Sequence, residues 1–208
     1  MVEILPAILE KTFGPIQVKV GRIKGIAARA HLDIADGVFV PEESWQEQER
    51  LSELGTAVKL DLHLMVERPE QWIKRWDFAN VFRLTFHQEA TYDVRRTVEL
   101  IKGCHKEVGL ALKIATPLSA VYDILKDIDL VLLMAVAPGG QGRVFDAQVV
   151  DKVKALRAHN ADIKIGVDGG ITPLVASSLV AAGANVLVSG SYIFGQENIK
   201  EAIQSLQS

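Results

Sequence analysis

Short apolar runs alternate with longer amphipathic stretches along the whole chain. The apolar runs are EILPAIL (3–9), RAHLDIA (29–35), AVKLDLHLMV (57–66), VFRLTFH (81–87), VGLALKI (108–114), LVLLMAVA (130–137), IKIGVDG (163–169) and NVLVSGS (185–191). These eight runs have the length and composition of buried parallel strands. Between them the apolar spacing becomes helical. Val94, Val98 and Ile101 line one face of a helix within 91–107, and Val149, Val153 and Leu156 do so further on. Ile199, Ile203 and Leu206 repeat the pattern at the end. Pro69, Pro117 and Pro173 stand near the starts of such stretches, where a missing N–H costs little. Gly55 and Gly183 follow them, where a left-handed cap is wanted.

Eight alternations of strand and helix predict an α/β fold with an all-parallel sheet, closed into a single (β/α)8 TIM barrel over residues 1–208. At this length the loops of the barrel must be short. The alternative, an open doubly wound sheet, wants a glycine-rich fingerprint after its first strand. The first run instead continues into LEKTFGP, with one glycine.

Composition narrows the picture. With 49% hydrophobic and 24% charged residues the chain is ordinary for a globular domain. A net charge of -3 leaves no electrostatic footprint for nucleic acid, although local donors still allow a small anionic substrate. Cys104 is the one cysteine, so no intrachain disulfide forms, and it reads as a half-buried packing residue. MVEILPAILE lacks the basic-then-apolar pattern of a signal peptide, and residues 130–137 are too short to span a bilayer. A cytoplasmic protein with no membrane partner is expected.

Barrel active sites form at the C-terminal ends of the strands. Polar residues interrupt the apolar runs at those ends. Alternate residues share a face, so His31 and Asp33 point together, as do Asp61, His63 and Met65. Asp168 closes the seventh run ahead of Gly169 and Gly170. A buried charge must be paired or bind a metal. Two histidines and two aspartates converging in one barrel mouth suit a divalent cation such as Zn²⁺, Mn²⁺ or Fe²⁺. Three glycine-bearing strand ends, PGGQG (138–142), DGG (168–170) and SGS (189–191), suit a phosphate, because glycine lets backbone N–H groups approach an anion.

The chain resembles the ribulose-phosphate 3-epimerase family through HLDIADGVFVP (31–41), LDLHLMVERPEQW (60–72), TFHQEAT (85–91), VLLMAVAPG (131–139), VDGGI (167–171) and VLVSGSYIFG (186–195). These segments occur in family order and cover nearly the whole chain. The resemblance implies a barrel of the ribulose-phosphate-binding type and a metal-dependent isomerase acting on a small phosphorylated ketose. It implies His31, Asp33, His63 and Asp168 as metal ligands, with Asp33 and Asp168 doubling as the acid/base pair. It implies Met65 and Met134 along the substrate pocket and Gly139, Gly140 and Gly142 in a flexible loop closing over it. It implies Gly169, Gly170, Gly190 and Ser191 at the phosphate, and a homo-oligomer.

Three positions depart from the family pattern. Ala7 stands where the family has a serine that reaches substrate, Ala35 stands where it has a pocket methionine, and PGGQGR gains Arg143 in the closing loop. All three are expected in the pocket. They leave open an epimerase of a related hexulose phosphate, or a non-catalytic sugar-phosphate binder, beside the ribulose 5-phosphate reading. A lyase of the DxKxxD type is disfavoured because DIADG carries no lysine. His87 beside Glu89 reads as structural support, Asp36 with Gly37 as a turn, and Trp45, Trp72 and Trp76 as packing. Asp61 is expected to orient His63.

Overall fold

The computed structural model describes residues 2–55, 57–140 and 142–207. Its eight strands close into an all-parallel barrel in sequence order. They are β1 (Glu3–Ile8), β2 (Arg29–Ala35), β3 (Lys59–Met65), β4 (Val81–His87), β5 (Glu107–Leu112), β6 (Leu130–Met134), β7 (Lys164–Asp168) and β8 (Val186–Ser189), with β8 pairing back to β1. Except for β2 and β4, the strands end earlier than the apolar runs. After Met134 the chain turns over the barrel rim, with the Ala135 N–H donating to the Asp168 carbonyl.

The α-helices are α1 (Phe13–Ile23), α2 (Val94–Gly103), α3 (Gln148–His159), α4 (Pro173–Ala182), α5 (Ser191–Phe194) and α6 (Ile199–Ser205). Val98 and Ile101 in α2, Val149, Val153 and Leu156 in α3, and Ile199 and Ile203 in α6 are buried, as the spacing requires. Asp93 caps α2 by accepting from the Arg96 N–H, and Gly183 ends α4 in the left-handed region. The links β2–β3, β3–β4 and β5–β6 hold only 3-10 segments, such as 48–54, 69–71 and 122–127, where full helices were expected. Val121, Leu125 and Ile128 keep the i, i+4, i+7 apolar spacing in the β5–β6 link and are buried, but short 3-10 turns, not an α-helix, bring them onto the sheet.

Alternate strand residues divide the core. One set, including Leu32, Ile34, Leu62, Leu64, Leu84, Phe86, Leu110 and Leu133, faces outward into the layer shared with the helices. The other set fills the barrel, with Leu5, Ala7, Ala111, Leu130, Leu132, Met134, Val186 and Val188 forming a separate inner cluster. Trp45 and Trp76 are buried edge to face at 5.8 Å, and Trp72 and half-buried Cys104 pack on the outer core, as expected. Asp36 makes the anticipated turn, its carboxylate accepting from Val38, Phe39 and Glu67 N–H groups while Gly37 takes φ 74°. No helix among the described residues is long and apolar enough to cross a membrane.

Candidate metal centre and substrate cleft

Strand register assembles the site. Parallel pairing sets His31 opposite Asp61, Asp33 opposite His63, and Met134 opposite Asp168. One ligand atom from each of His31, Asp33, His63 and Asp168 then lies within 4.8 Å of all the others. The His63 Nδ1 is 2.9 Å from Asp33 Oδ1 and 3.8 Å from Asp168 Oδ2, and His31 Nε2 is 3.5 Å from Asp33 Oδ1. Metal–ligand bonds of about 2.0–2.2 Å at tetrahedral angles put donors roughly 3.3–3.6 Å apart, so the set fits a divalent cation. His31 Nε2 supports the fit: it is fully buried and has no hydrogen-bond partner among the described residues.

Asp61 is a correction. It was expected to orient His63, because the two share a face of one strand. It accepts instead from His31 Nδ1 at 3.0 Å, since its nearest inward neighbour lies across the strand boundary. Its other partners are the Arg83 guanidinium at 2.7 Å and the Thr85 hydroxyl at 2.8 Å. Gly109, opposite Thr85, makes this possible: a Cβ there would stand 2.2 Å from the Thr85 hydroxyl oxygen. Arg83 was not singled out from the sequence, although an arginine inside the apolar run VFRLTFH was a visible signal. It is fully buried and also reaches Glu107 at 3.4 Å.

His87 was expected only as support. It is fully buried, with Nε2 at 2.9 Å from His63 Nε2 and Nδ1 at 3.3 Å from Glu89. Glu89 in turn accepts from the Lys113 N–H at 2.9 Å and from the Thr116 hydroxyl.

The protein's own charges set the protonation pattern. Burial alone would lower the His31 pKa, but Asp61 and Asp33 outweigh it and hold His31 up at about 10. Burial would raise Asp33; the nearby His31 and the hydrogen bond with His63 prevail and keep it well below the usual carboxylate range. Among the described residues the Asp168 carboxylate makes no such close hydrogen bond, and burial and the Asp33 charge push it up to about 6. Burial and the neighbouring His63 bring His87 down to about 4 despite Glu89. The two aspartates are thus driven apart, one firmly ionised and one able to carry a proton near neutrality.

A cleft opens directly above this cluster. Met65 and Met134 line it, as do Gly139, Gly140 and Gly142 after β6, Gly169 and Gly170 after β7, and Gly190 and Ser191 after β8. Gln141, within the same loop, lies outside the described residues. Gly169 has φ 106°, and a Cβ there would meet Val136 at 2.4 Å, so the turn into the cleft requires glycine. Of the three departures, Ala7 and Arg143 line the cleft. Ala35 does not, which corrects the expectation that it lies in the pocket. The chain after β2 folds back so that Val40 and Phe39 pack with Ala35 and Met65, filling the space a longer side chain would take. Ser44 anchors that return, accepting from the Ala35 N–H at 2.8 Å and donating to the Asp33 carbonyl at 3.1 Å.

The family model for the ribulose-phosphate 3 epimerase family matches residues 3–194. The chain belongs to the ribulose-phosphate 3-epimerase family. It is 34% identical to the ribulose-phosphate 3-epimerase of Bacillus subtilis over 215 residues, covering 100% of this chain and 99% of that one. It is 36% identical to the chloroplastic ribulose-5-phosphate-3-epimerase of Arabidopsis thaliana, covering 98% of this chain and 75% of that protein. Among solved structures, 3-hexulose-6-phosphate synthase from Salmonella typhimurium superposes with a TM-score of 0.75 at 13% identity, over 99% of this chain and 96% of that one. That likeness is one of fold. In a family of epimerases, the buried His/Asp cluster at the barrel mouth is a centre able to hold a divalent metal.

Proposed function

We propose that this chain is a metal-dependent epimerase that inverts the third carbon of D-ribulose 5-phosphate, giving D-xylulose 5-phosphate. The observation that carries the reading is the cluster His31, Asp33, His63 and Asp168, which sits at the base of the glycine-lined cleft. The reading treats residues 1–208 as one barrel domain, supported by the span of the family match.

Inversion beside a ketone requires a proton to leave one face of the carbon and another to arrive on the opposite face. In this scheme one carboxylate of the pair Asp33 and Asp168 accepts the first proton. The released electron pair moves onto the carbonyl oxygen, forming an enediolate. The other residue, in its acid form, delivers a proton from the far side, and the electron pair returns to the carbon. A divalent cation held by His31, Asp33, His63 and Asp168 supplies Lewis-acid stabilisation of negative charge on oxygen. The raised proton affinity of Asp168 beside the strongly acidic Asp33 suits this division. Met65 and Met134 give the reacting carbons an apolar wall, and the glycines after β6, β7 and β8 leave room for a phosphate.

A related hexulose phosphate is the second reading, favoured by Ala7, whose methyl group lines the cleft in place of a polar side chain. NMR in deuterated water tests both. Metal-loaded protein with D-ribulose 5-phosphate is expected to place deuterium at the third carbon and yield xylulose 5-phosphate. Asp168→Asn is expected to lose about a hundred- to ten-thousandfold in exchange rate. No exchange with ribulose 5-phosphate, but exchange with a hexulose phosphate, would move the substrate to the second reading. No exchange with any ketose phosphate would leave a sugar-phosphate binder.

A further inference from the structure

The two histidines of the cluster turn different nitrogens toward it. His31 offers Nε2, and its Nδ1 is held by the Asp61 carboxylate at 3.0 Å. His63 offers Nδ1, and its Nε2 faces no carboxylate but the Nε2 of a second imidazole, His87, at 2.9 Å. A hydrogen bond between two imidazole nitrogens needs a proton on one and a lone pair on the other. The contact alone does not say which.

Glu89 decides it. The His87 Nδ1 lies 3.3 Å from Glu89 Oε2, and an ionised carboxylate only accepts. The His87 proton therefore belongs on Nδ1, which leaves its Nε2 as an acceptor. His63 must then carry a proton on Nε2, and Nδ1, 2.9 Å from Asp33 Oδ1 and 3.8 Å from Asp168 Oδ2, is the nitrogen that gives up its proton when a cation takes the site. The reverse assignment would set a His87 lone pair against the Glu89 carboxylate and make Nδ1 the only protonated nitrogen of His63, so that a cation there would strip the ring of its last proton. Glu89 is fixed for this task from the next strand's loop, by the Lys113 N–H and the Thr116 hydroxyl. Phe39 covers His87 with ring centroids 4.8 Å apart, and His87 is fully buried, so no bulk water competes.

We propose that Glu89 and His87 are positioning residues for the metal centre, a hydrogen-bonded chain that holds His63 with Nε2 protonated and Nδ1 open to the cation. The inference rests on the metal-centre reading above. Partners of this kind orient a ligand and raise its basicity, and losing one typically weakens metal binding about 10- to 100-fold.

The test is Zn²⁺ affinity, measured on chelator-stripped protein by competition with a chromophoric chelator. His87→Phe keeps a ring against Phe39 and His63 but can neither accept nor donate. His87→Gln retains an acceptor for His63 and a donor for Glu89. The expected result is a loss of about 10- to 100-fold for the phenylalanine variant and recovery to within about threefold of wild type for the glutamine variant. Equal losses in both, or no loss in His87→Phe, would overturn the chain. Long-range proton–nitrogen NMR of the Zn²⁺-loaded wild type gives a reading that needs no variant to fold. It is expected to show His63 protonated at Nε2 and His87 at Nδ1, and the opposite pair of tautomers would refute the proposal. Wild-type protein that binds no Zn²⁺ would overturn the metal centre and this chain together. Tight binding unaffected by His87→Phe would remove the chain alone.

Discussion

The inside of the barrel is filled in two ways. From β2 to β4 the inward positions include His31, Asp33, Asp61, His63, Arg83, Thr85 and His87, all buried. From β5 round to β1 they include Ala111, Leu130, Leu132, Met134, Val186, Val188, Leu5 and Ala7. The backbone is the same on both sides. The apolar half is held by burial and close packing, which degrade in proportion to what is removed. The polar half is held by a network in which each group satisfies its neighbour, so it fails abruptly when one member is lost. The site lies where the two meet: β7 contributes Asp168 from the otherwise apolar side, opposite Met134.

The sharpest way to break this comparison is to open the polar half at its centre. Asp61 is the common partner of His31, Arg83 and Thr85. Asp61→Leu takes from the buried Arg83 its closest counter-charge and leaves Glu107, 3.4 Å away, and the more distant Glu3. The expected cost is about 3–5 kcal/mol of folding stability, read from urea unfolding. Replacing both members, Asp61→Leu with Arg83→Leu, is expected to recover most of that loss, because no charge is then stranded. A double variant no more stable than the single would mean that the pair is not what organises this half.

In the apolar half, Leu132→Ala is the matching test. Leu132 is fully buried and fills the space over Gly166, where even a Cβ would come within 2.9 Å of it. Gly166 has no side chain with which to refill the space. A loss of about 3 kcal/mol is expected, with Zn²⁺ affinity unchanged. A large fall in affinity would show that the two halves are coupled more tightly than their packing indicates.

How much of this was legible in the sequence follows the same division. The outward faces of the strands and the helices α2, α3 and α6 could be read, because a period of two or 3.6 states which side is buried. His31, Asp33, His63 and Asp168 stood out because charge inside an apolar run demands a partner. The partners themselves were hidden. Asp61 belongs to His31 through the register between β2 and β3, which no single strand encodes. Arg83 and His87 depend on the same cross-strand geometry. Ala35 was misread because the loop that fills its space returns through Ser44 and Val40, a tertiary event without local periodicity. The links without α-helices were also misread, since a proline near the start of a stretch marks a turn as readily as a helix.

The halves should also differ in their response to pH. His31 is held up at about 10 by Asp61 and Asp33, so it carries a proton at neutrality until a cation displaces it. Lower pH favours the proton and higher pH the metal. Zn²⁺ affinity is expected to rise roughly tenfold per pH unit between about pH 6 and 8 if one proton is released. Leu132→Ala should leave that slope untouched. A flat profile in the wild type would show that the proton on His31 does not compete with the metal.

The smallest effect is expected from a polar pair outside the barrel. Arg143 and Glu42 meet at 3.0 Å across the mouth of the cleft, with side chains 36% and 40% exposed. Like Arg83 and Asp61, they are an arginine and a carboxylate in hydrogen-bond contact. Water and salt screen them, and holding two long side chains together offsets most of the attraction. Arg143→Gln is therefore expected to change folding stability by no more than about 0.5 kcal/mol, and by less at high salt. Against several kcal/mol for Asp61→Leu, that contrast separates burial from polarity as the source of intolerance in the barrel. A loss above about 1 kcal/mol in Arg143→Gln would mean that the loop after β6 is fastened to the barrel mouth by this contact, and that the stability of the rim, like that of the polar half, depends on a charge pair.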